Sequence, residues 1–244
     1  MSGPVALVTG AAGGLGTAVL AALDHDGFTV VGVDVAPVAG RCAESHRVDV
    51  RDGAALRELA ADVVARHGRL DAVVAAAAVM DGGTPLWETP DEVVDELWDV
   101  DARGVWNTAR ACVPHLLASP DPRQARFVAI ASAAGEHGMF GLAAYTVAKH
   151  AVVGVVRGLA ADLVGTGVAA VAVSPGAMRT PMLTRTAELY GLEGEAGVAE
   201  LASHQGLRRA LDPTEVARVV ALACSPAGAA LNGSVVNADG GFGL

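Results

Sequence analysis

The sequence predicts an α/β fold in which a doubly wound parallel sheet of about seven strands carries helices on both faces. Three observations predict it. Short apolar, β-rich segments alternate with segments of helical spacing along nearly all 244 residues. Those short segments are apolar at successive positions, as strands covered on both faces are. A glycine-rich turn joins the first of them to the first helix. No linker and no internal repeat interrupts the alternation, so residues 1–244 read as a single domain.

The elements follow in order. Val5–Thr9 is a buried strand, Leu15–Asp24 a helix and Phe28–Asp34 the second strand. Arg47–Val50 reads as a short third strand. Leu56, Leu59 and Val63 give Gly53–Arg66 its helical spacing. Leu70–Ala76 is a strand, and Glu92–Leu117 reads as two helices joined by a bend. Arg126–Ser132 is a strand, Ala143–Val164 a long helix and Val168–Val173 the next strand. Pro213–Cys224 is a helix with proline in its first turn behind an Asp212 cap. Ser234–Asn237 is the last strand. Residues 181–209 form a polar stretch with glycines at 191, 194, 197 and 206. It is too long for an ordinary loop and is expected to be a substrate lid.

Composition excludes several classes. Hydrophobic residues make up 52% and charged residues 18%, enough apolar material for a large core and against disorder. A net charge of −10 leaves no basic surplus for phosphate backbones, so nucleic acid is not an expected partner. Cys42, Cys112 and Cys224 are widely spaced, which fits buried apolar residues in a reducing compartment and neither a disulfide framework nor a metal site. The first strand is not preceded by a basic and apolar leader, and runs such as Val73–Met80 are too short to span a bilayer. A cytoplasmic protein with no membrane partner is the expectation.

In Thr9-Gly-Ala-Ala-Gly-Gly-Leu-Gly16, Gly10, Gly14 and Gly16 have the spacing GxxxGxG between strand and helix. A sharp turn, close backbone approach to a pyrophosphate and tight helix packing each favour a residue without Cβ. The helix N-terminus then offers free N–H groups to the phosphates. An isolated glycine cluster is more often a plain turn; the strand–turn–helix context favours a dinucleotide. Asp34 ends the second strand, where a carboxylate accepts from ribose hydroxyls and repels a 2′-phosphate. Gly13 stands where a basic residue would otherwise sit, so NAD is favoured over NADP. Asp49, after the third strand, is placed to reach the adenine edge or to serve as an ordinary turn carboxylate.

Ser132 closes the fifth strand, Tyr145 follows on a helix, and Lys149 lies one turn further on the same face. Lys149 is the only lysine among 17 basic residues, and Tyr145 is one of two tyrosines. A free tyrosine, with a pKa of about 10, is a poor base near neutrality. A neighbouring ammonium favours the phenolate, so Tyr145 is expected to ionise more readily. Ser132 is suited to donate to a substrate oxygen. Taken singly, each residue is equally at home as a turn serine, a half-buried tyrosine or a surface lysine.

These residues together resemble the short-chain dehydrogenase/reductase family: TGxxxGxG at Thr9–Gly16, Ser132, YxxxK at Tyr145–Lys149 and Pro175-Gly176 after the sixth strand. The resemblance covers nearly the whole chain, including Asp239-Gly-Gly. It implies a Rossmann-type sheet of order 3-2-1-4-5-6-7, a homotetramer, NAD as cofactor and an alcohol or ketone as substrate. It implies cofactor contacts from Gly10, Gly13, Gly14, Leu15, Gly16, Asp34, Asp49 and Val50. Ala76, Ala77, Tyr145, Lys149, Pro175, Gly176, Met178 and Thr180 complete that set. Ala75-Ala-Ala-Ala-Val-Met, Trp87-Glu-Thr and Ala148-Lys-His-Ala-Val-Val-Gly are similar to the mycofactocin-coupled subgroup, which implies tightly held NAD and a peptide-derived redox carrier as electron acceptor.

The chain departs from the family pattern twice. Ala75–Ala78 replaces Asn-Asn-Ala-Gly, and Asp101 stands where a helix asparagine is usual. A carboxylate there accepts the same hydrogen bond and pairs with Lys149, so Asp101 joins the catalytic candidates. Met139, Phe140, Met182, Leu183 and Tyr190 flank the expected pocket and point to an apolar or cyclic alcohol, with His137 a turn residue or pocket lining. Two other functions fit the same residues: a non-catalytic NAD-binding sensor or scaffold, and a lyase or epimerase with resident NAD.

Overall fold

The computed structural model describes residues 3–243. Seven parallel strands form one sheet in the order β3-β2-β1-β4-β5-β6-β7. They are β1 Val5–Thr9, β2 Thr29–Asp34, β3 Glu44–Arg47, β4 Ala72–Ala75, β5 Arg126–Ile130, β6 Ala169–Pro175 and β7 Val235–Ala238. Strand order reverses between β1 and β4, so the chain leaves a crevice at their C-terminal ends, where ligands bind in open sheets of this kind.

Helices cover both faces. On one side α1 (Gly14–His25) packs against α8 (Pro213–Cys224). Val19, Leu20, Val216 and Val220 there meet Val8, Val74 and Val128 of the sheet. On the other side lie α2 (Gly53–His67), α4 (Gly104–Leu117) and α5 (Ala143–Asp162). Their Leu56, Cys112 and Val152 pack on Val31, Val73 and Phe127. Each fully buried Val or Leu contributes about 1.5–3 kcal/mol, and the interior strands are built mainly of valine and alanine. Asp212 caps α8 as the Asp-Pro junction predicts, and Glu215 completes a reciprocal capping box that the sequence reading did not name.

Four expectations need correction. The third strand is Glu44–Arg47, not Arg47–Val50. It is an edge strand with polar, half-exposed residues, so hydropathy pointed past it to Val48 and Val50, which turn inward after it ends. The fifth strand stops at Ile130, and Ser132 instead caps a short 3-10 turn, Ala133–Gly135. Glu92–Leu117 is not two helices with a bend. α3 (Asp91–Leu97) runs through a π-helical segment, Trp98–Arg103, into α4 with helical backbone at both junctions. Cys112 and Cys224 are buried, and burial pushes both thiols up to about 12, but Cys42 is only half-buried.

The polar stretch at 181–209 contains α6 (Pro181–Leu189) and α7 (Gly194–Ala202). They pack on each other, with Leu183, Ala202 and Ala210 forming a small core of their own. At the opposite end of the sheet Asp71, which is buried, joins three elements. It accepts from Val5 N, pairs with Arg69 at 2.6 Å and accepts from Ser119 Oγ at 2.6 Å. Among the described residues no helix is long and apolar enough to cross a membrane, and no group of metal-ligating side chains occurs.

Candidate active site

One cavity of about 1080 Å³ opens along the C-terminal ends of the strands. Its first wall is the turn from β1 to α1. Gly10 has φ +70°, and a Cβ on it would lie 2.6 Å from the backbone of Ala76 and Ala77. A Cβ on Gly16 would collide with the Gly10 carbonyl, and one on Gly14 would stand 2.7 Å from Thr180 Cγ2. The turn is therefore compressed from three sides, and only glycine fits. Gly13 provides no side-chain cap for α1, so the first-turn N–H groups remain available to an anion.

Asp34 braces the same turn. Its Oδ2 accepts from Ala12 N and its Oδ1 from Ala36 N, both at 2.9 Å. Each oxygen keeps a lone pair, which suits vicinal ribose hydroxyls. Asp49 lies two residues beyond β3, next to Val50 on the cavity wall. Sequence reasoning missed its partner: Arg51 Nη2 stands 2.6 Å from Asp49 Oδ2. Hydrogen bonding to Arg51 holds the Asp49 carboxyl below the usual carboxylate range despite some burial. A basic residue two positions from an acid at the end of an edge strand was the available signal.

The alanine run sits where backbone is all that is needed. Ala76 and Ala77 line the cavity, and Ala76 N donates to Thr9 Oγ1 at 3.2 Å. Thr9 is buried and so takes up a donor that the run's own methyl side chains leave to others. Across the crevice Pro175, Gly176, Met178 and Thr180 form the far wall. A second missed residue supports them. Gln205, buried, accepts from Ala177 N at 2.5 Å and donates to Arg209 O at 2.6 Å. A Cβ on Gly176 would overlap Gln205 Oε1 and crowd the Asp239 carbonyl.

Ser132, Tyr145 and Lys149 share the central wall. The Ser132 hydroxyl accepts from Ala134 N at 3.2 Å, which fixes its rotamer. Tyr145 and Lys149 project from one face of α5, with Lys149 Nζ 5.5 Å from the Tyr145 ring centroid. Lys149 Nζ donates to Ile130 O at 3.4 Å and lies 3.0 Å from Asp101 Oδ2. The π-helical segment turns Asp101 inward, behind the cavity wall, and Asp101 Oδ1 accepts from Val79 N at 2.8 Å. A wide helical turn of this kind is a frequent device for aiming one side chain into a site.

The electrostatics differ from expectation. Burial pushes the Tyr145 hydroxyl up from its ordinary value, and Asp101 adds to that rise. Lys149 and the Ser132 hydroxyl act the other way without prevailing. The expected pairing of Asp101 with Lys149 is present; what sequence reasoning left out is the burial of Tyr145, which together with Asp101 outweighs the ammonium. Burial works against the Lys149 ammonium, yet Asp101 and then Tyr145 outweigh it and hold its pKa above the usual lysine value. Burial also lifts the Asp101 carboxyl, with Lys149 opposing.

A roof closes over this wall. Gly83 N donates to Gly141 O at 2.8 Å, and Tyr190 Oη donates to Phe140 O at 2.5 Å. His137 packs its ring against Phe242, which lines the cavity from the C-terminal segment. Met139, Phe140, Met182, Leu183 and Tyr190 all face the cavity; His137 stands just outside, behind Phe242. The glycine cradle, the braced Asp34 and the uncapped helix fit a dinucleotide.

Comparison with known proteins agrees with this geometry. A family model described as enoyl-(acyl carrier protein) reductase matches residues 10–243. The chain is 31% identical to oxidoreductase UcpA of Escherichia coli, over 99% of this chain and 95% of that protein. It is 31% identical to an uncharacterised NAD-dependent oxidoreductase of Mycobacterium tuberculosis, over 99% of this chain and 96% of that one. The structure of carveol dehydrogenase from Mycobacterium avium in complex with NAD superposes with a TM-score of 0.90 at 27% identity, covering 99% of this chain and 98% of that one.

Proposed function

The chain belongs to the short-chain dehydrogenase/reductase family, and from that premise we propose that it moves a hydride between NAD and an alcohol or ketone, with Tyr145 as general acid/base. The carrying observation is the wall of half-buried Ser132 and buried Tyr145 and Lys149, facing a cavity that the glycine turn also lines. NAD is supported by Asp34, by the mycobacterial relative and by the NAD complex of the structural neighbour.

When bound, NAD supplies the ring carbon that gives or takes the hydride. Asp34 would hold the adenosine ribose, and the N–H groups following Gly13 would take the pyrophosphate. Ser132 donates to the substrate oxygen. Tyr145 gives that oxygen a proton in reduction and removes it in oxidation. Lys149, paired with Asp101, would reach the nicotinamide-side ribose and offset part of the phenolate charge. Asp101 positions Lys149 from behind the wall.

The finer reading is a mycofactocin-coupled enzyme with resident NAD. The Ala75–Met80, Trp87–Thr89 and Ala148–Gly154 motifs support it, as does the roof tied by Tyr190 and Gly83. The segment 181–209 is the lid of this reading. Trp106 and Val147, exposed on α4 and α5, offer a second copy an apolar face and support the homotetramer. Three free cysteines support the cytoplasm.

One experiment tests the reading. The purified protein is denatured and its supernatant assayed for NAD(H), and alcohols are offered with free NAD or with an artificial electron dye. Released cofactor with dye-only turnover supports the resident form, and turnover with free NAD the exchangeable form. Bound NAD with no net redox of any alcohol or ketone favours a sensor, lyase or epimerase.

A further inference from the structure

We infer that the substrate is a neutral, predominantly apolar alcohol or ketone, and that Glu200 on the lid discriminates against anionic ones. This rests on the hydride-transfer reading and adds its substrate class. Beyond Tyr145 the cavity wall is made by Met80, Met139, Met182, Leu183 and Phe242, with Phe140 exposed at its rim. Three of the chain's five methionines stand on it. Thioether side chains repack around varied shapes, so this wall suits bulky alicyclic skeletons more than one tight fit.

Charge decides the rest. Only two lysine or arginine side chains, Lys149 and Arg51, line the cavity among the described residues. Arg51 is forked onto Asp49 at the adenosine end, with Nε and Nη2 bonds of 2.9 and 2.6 Å. Lys149 is committed to Asp101 at 3.0 Å. Arg185 of the lid does not line the cavity, and its nearest acids are Asp81 at 3.6 Å and Glu188 at 3.7 Å. No unpaired lysine or arginine therefore lines the cavity to meet a carboxylate or phosphate among the described residues. Glu200, exposed at the rim, lines the lid side instead, with His204 and Thr186 as further hydrogen-bonding groups. An anion leaving water for this wall loses hydration, finds no countercharge and meets a carboxylate.

The roof points the same way. Tyr190 and Phe140 both line the cavity, and the bond from Tyr190 Oη to Phe140 O straps the end of α6 to the loop before α5. A substrate tethered to an anionic phosphopantetheine arm would need this strap open and a cation for its phosphate. A compact neutral ketone needs neither.

Binding is measured by calorimetry on the NADH-loaded protein, with menthone and with cyclohexanone carboxylate. Menthone is expected to bind saturably and at least about tenfold more tightly than the carboxylate. Glu200→Gln is expected to narrow that ratio; an unchanged ratio removes Glu200 from the explanation. Carboxylate binding as tight as menthone, or no saturable menthone binding, overturns the inference. The calorimetric readout does not depend on turnover. Saturable menthone binding without any redox of menthone or its alcohol therefore counts against hydride transfer, not against the character of the pocket.

Discussion

Lys149 Nζ faces Asp101 Oδ2 at 3.0 Å, and neither side chain reaches solvent. The contact is an ion pair without a well-aligned hydrogen bond at Oδ2. It sits directly behind Tyr145, on the segment where the α3–α4 helix widens to a π turn. The single ammonium that would stabilise a Tyr145 phenolate is thus already balanced by a carboxylate.

The first prediction concerns pH. Asp101 raises the Tyr145 pKa, so removing its charge lowers it. The other charged groups near this pair are Lys149 and Glu96. Alcohol oxidation needs the phenolate and increases with pH until Tyr145 is ionised. In Asp101→Asn the rising limb of the oxidation profile moves to lower pH. A limb that stays in place, with activity simply reduced, would indicate a purely structural role for Asp101.

Tyr145→Phe removes the proton donor and leaves the ring in place. General acid/base groups contribute about 10²–10⁴-fold, and turnover should fall by at least the lower figure. NAD binding, followed by fluorescence or calorimetry, should survive because the glycine turn and Asp34 are untouched. Turnover within a few-fold of the parent protein would remove Tyr145 from the mechanism.

Asp34→Ala tests cofactor choice. The substitution removes the carboxylate that repels a 2′-phosphate and also frees Ala12 N and Ala36 N. The preference for NAD over NADP, taken from the two dissociation constants, should fall by about tenfold or more, roughly 1.4 kcal/mol. A parent protein that binds NADP more tightly would show the reverse role for this wall.

Asp71→Asn tests the opposite end of the sheet. Burial favours the protonated acid, but Arg69, Ser119 and Val5 N together hold its pKa below the ordinary value. The folded pKa lies below the unfolded one, so this stabilisation is present above the unfolded pKa and is lost as pH falls through the folded pKa. Losing the charged hydrogen bonds should cost about 1.5–3 kcal/mol at pH 7 in denaturant unfolding. The difference from the parent should shrink under acid; a pH-independent difference would contradict the ionic account.

Much of this protein was legible in the sequence because local rules govern it. Strand hydropathy, the glycine spacing and the Asp212 cap each act within a few residues, and all appear in the structure. The i, i+4 spacing of Tyr145 and Lys149 places them on one face by helical geometry alone. The third strand was misplaced because an edge strand needs no apolar residues, and pairing with β2 decided its position. The continuous π-widened helix at Trp98–Arg103 likewise left no mark in hydropathy.

What the sequence alone determined was the α/β alternation, the glycine spacing of the first turn and the placement of Tyr145 and Lys149 on one helix face. What only the tertiary structure decided was the charge balance around that pair. Asp101 and Lys149 are far apart along the chain, and their distance, burial and aim depend on how α4 and α5 pack over β4 and β5. The same holds for Arg51 on Asp49, Gln205 under Gly176 and Tyr190 on Phe140. Local rules bring a residue type to an element, but a pKa depends on every charge and every lost water around it, and packing alone supplies those.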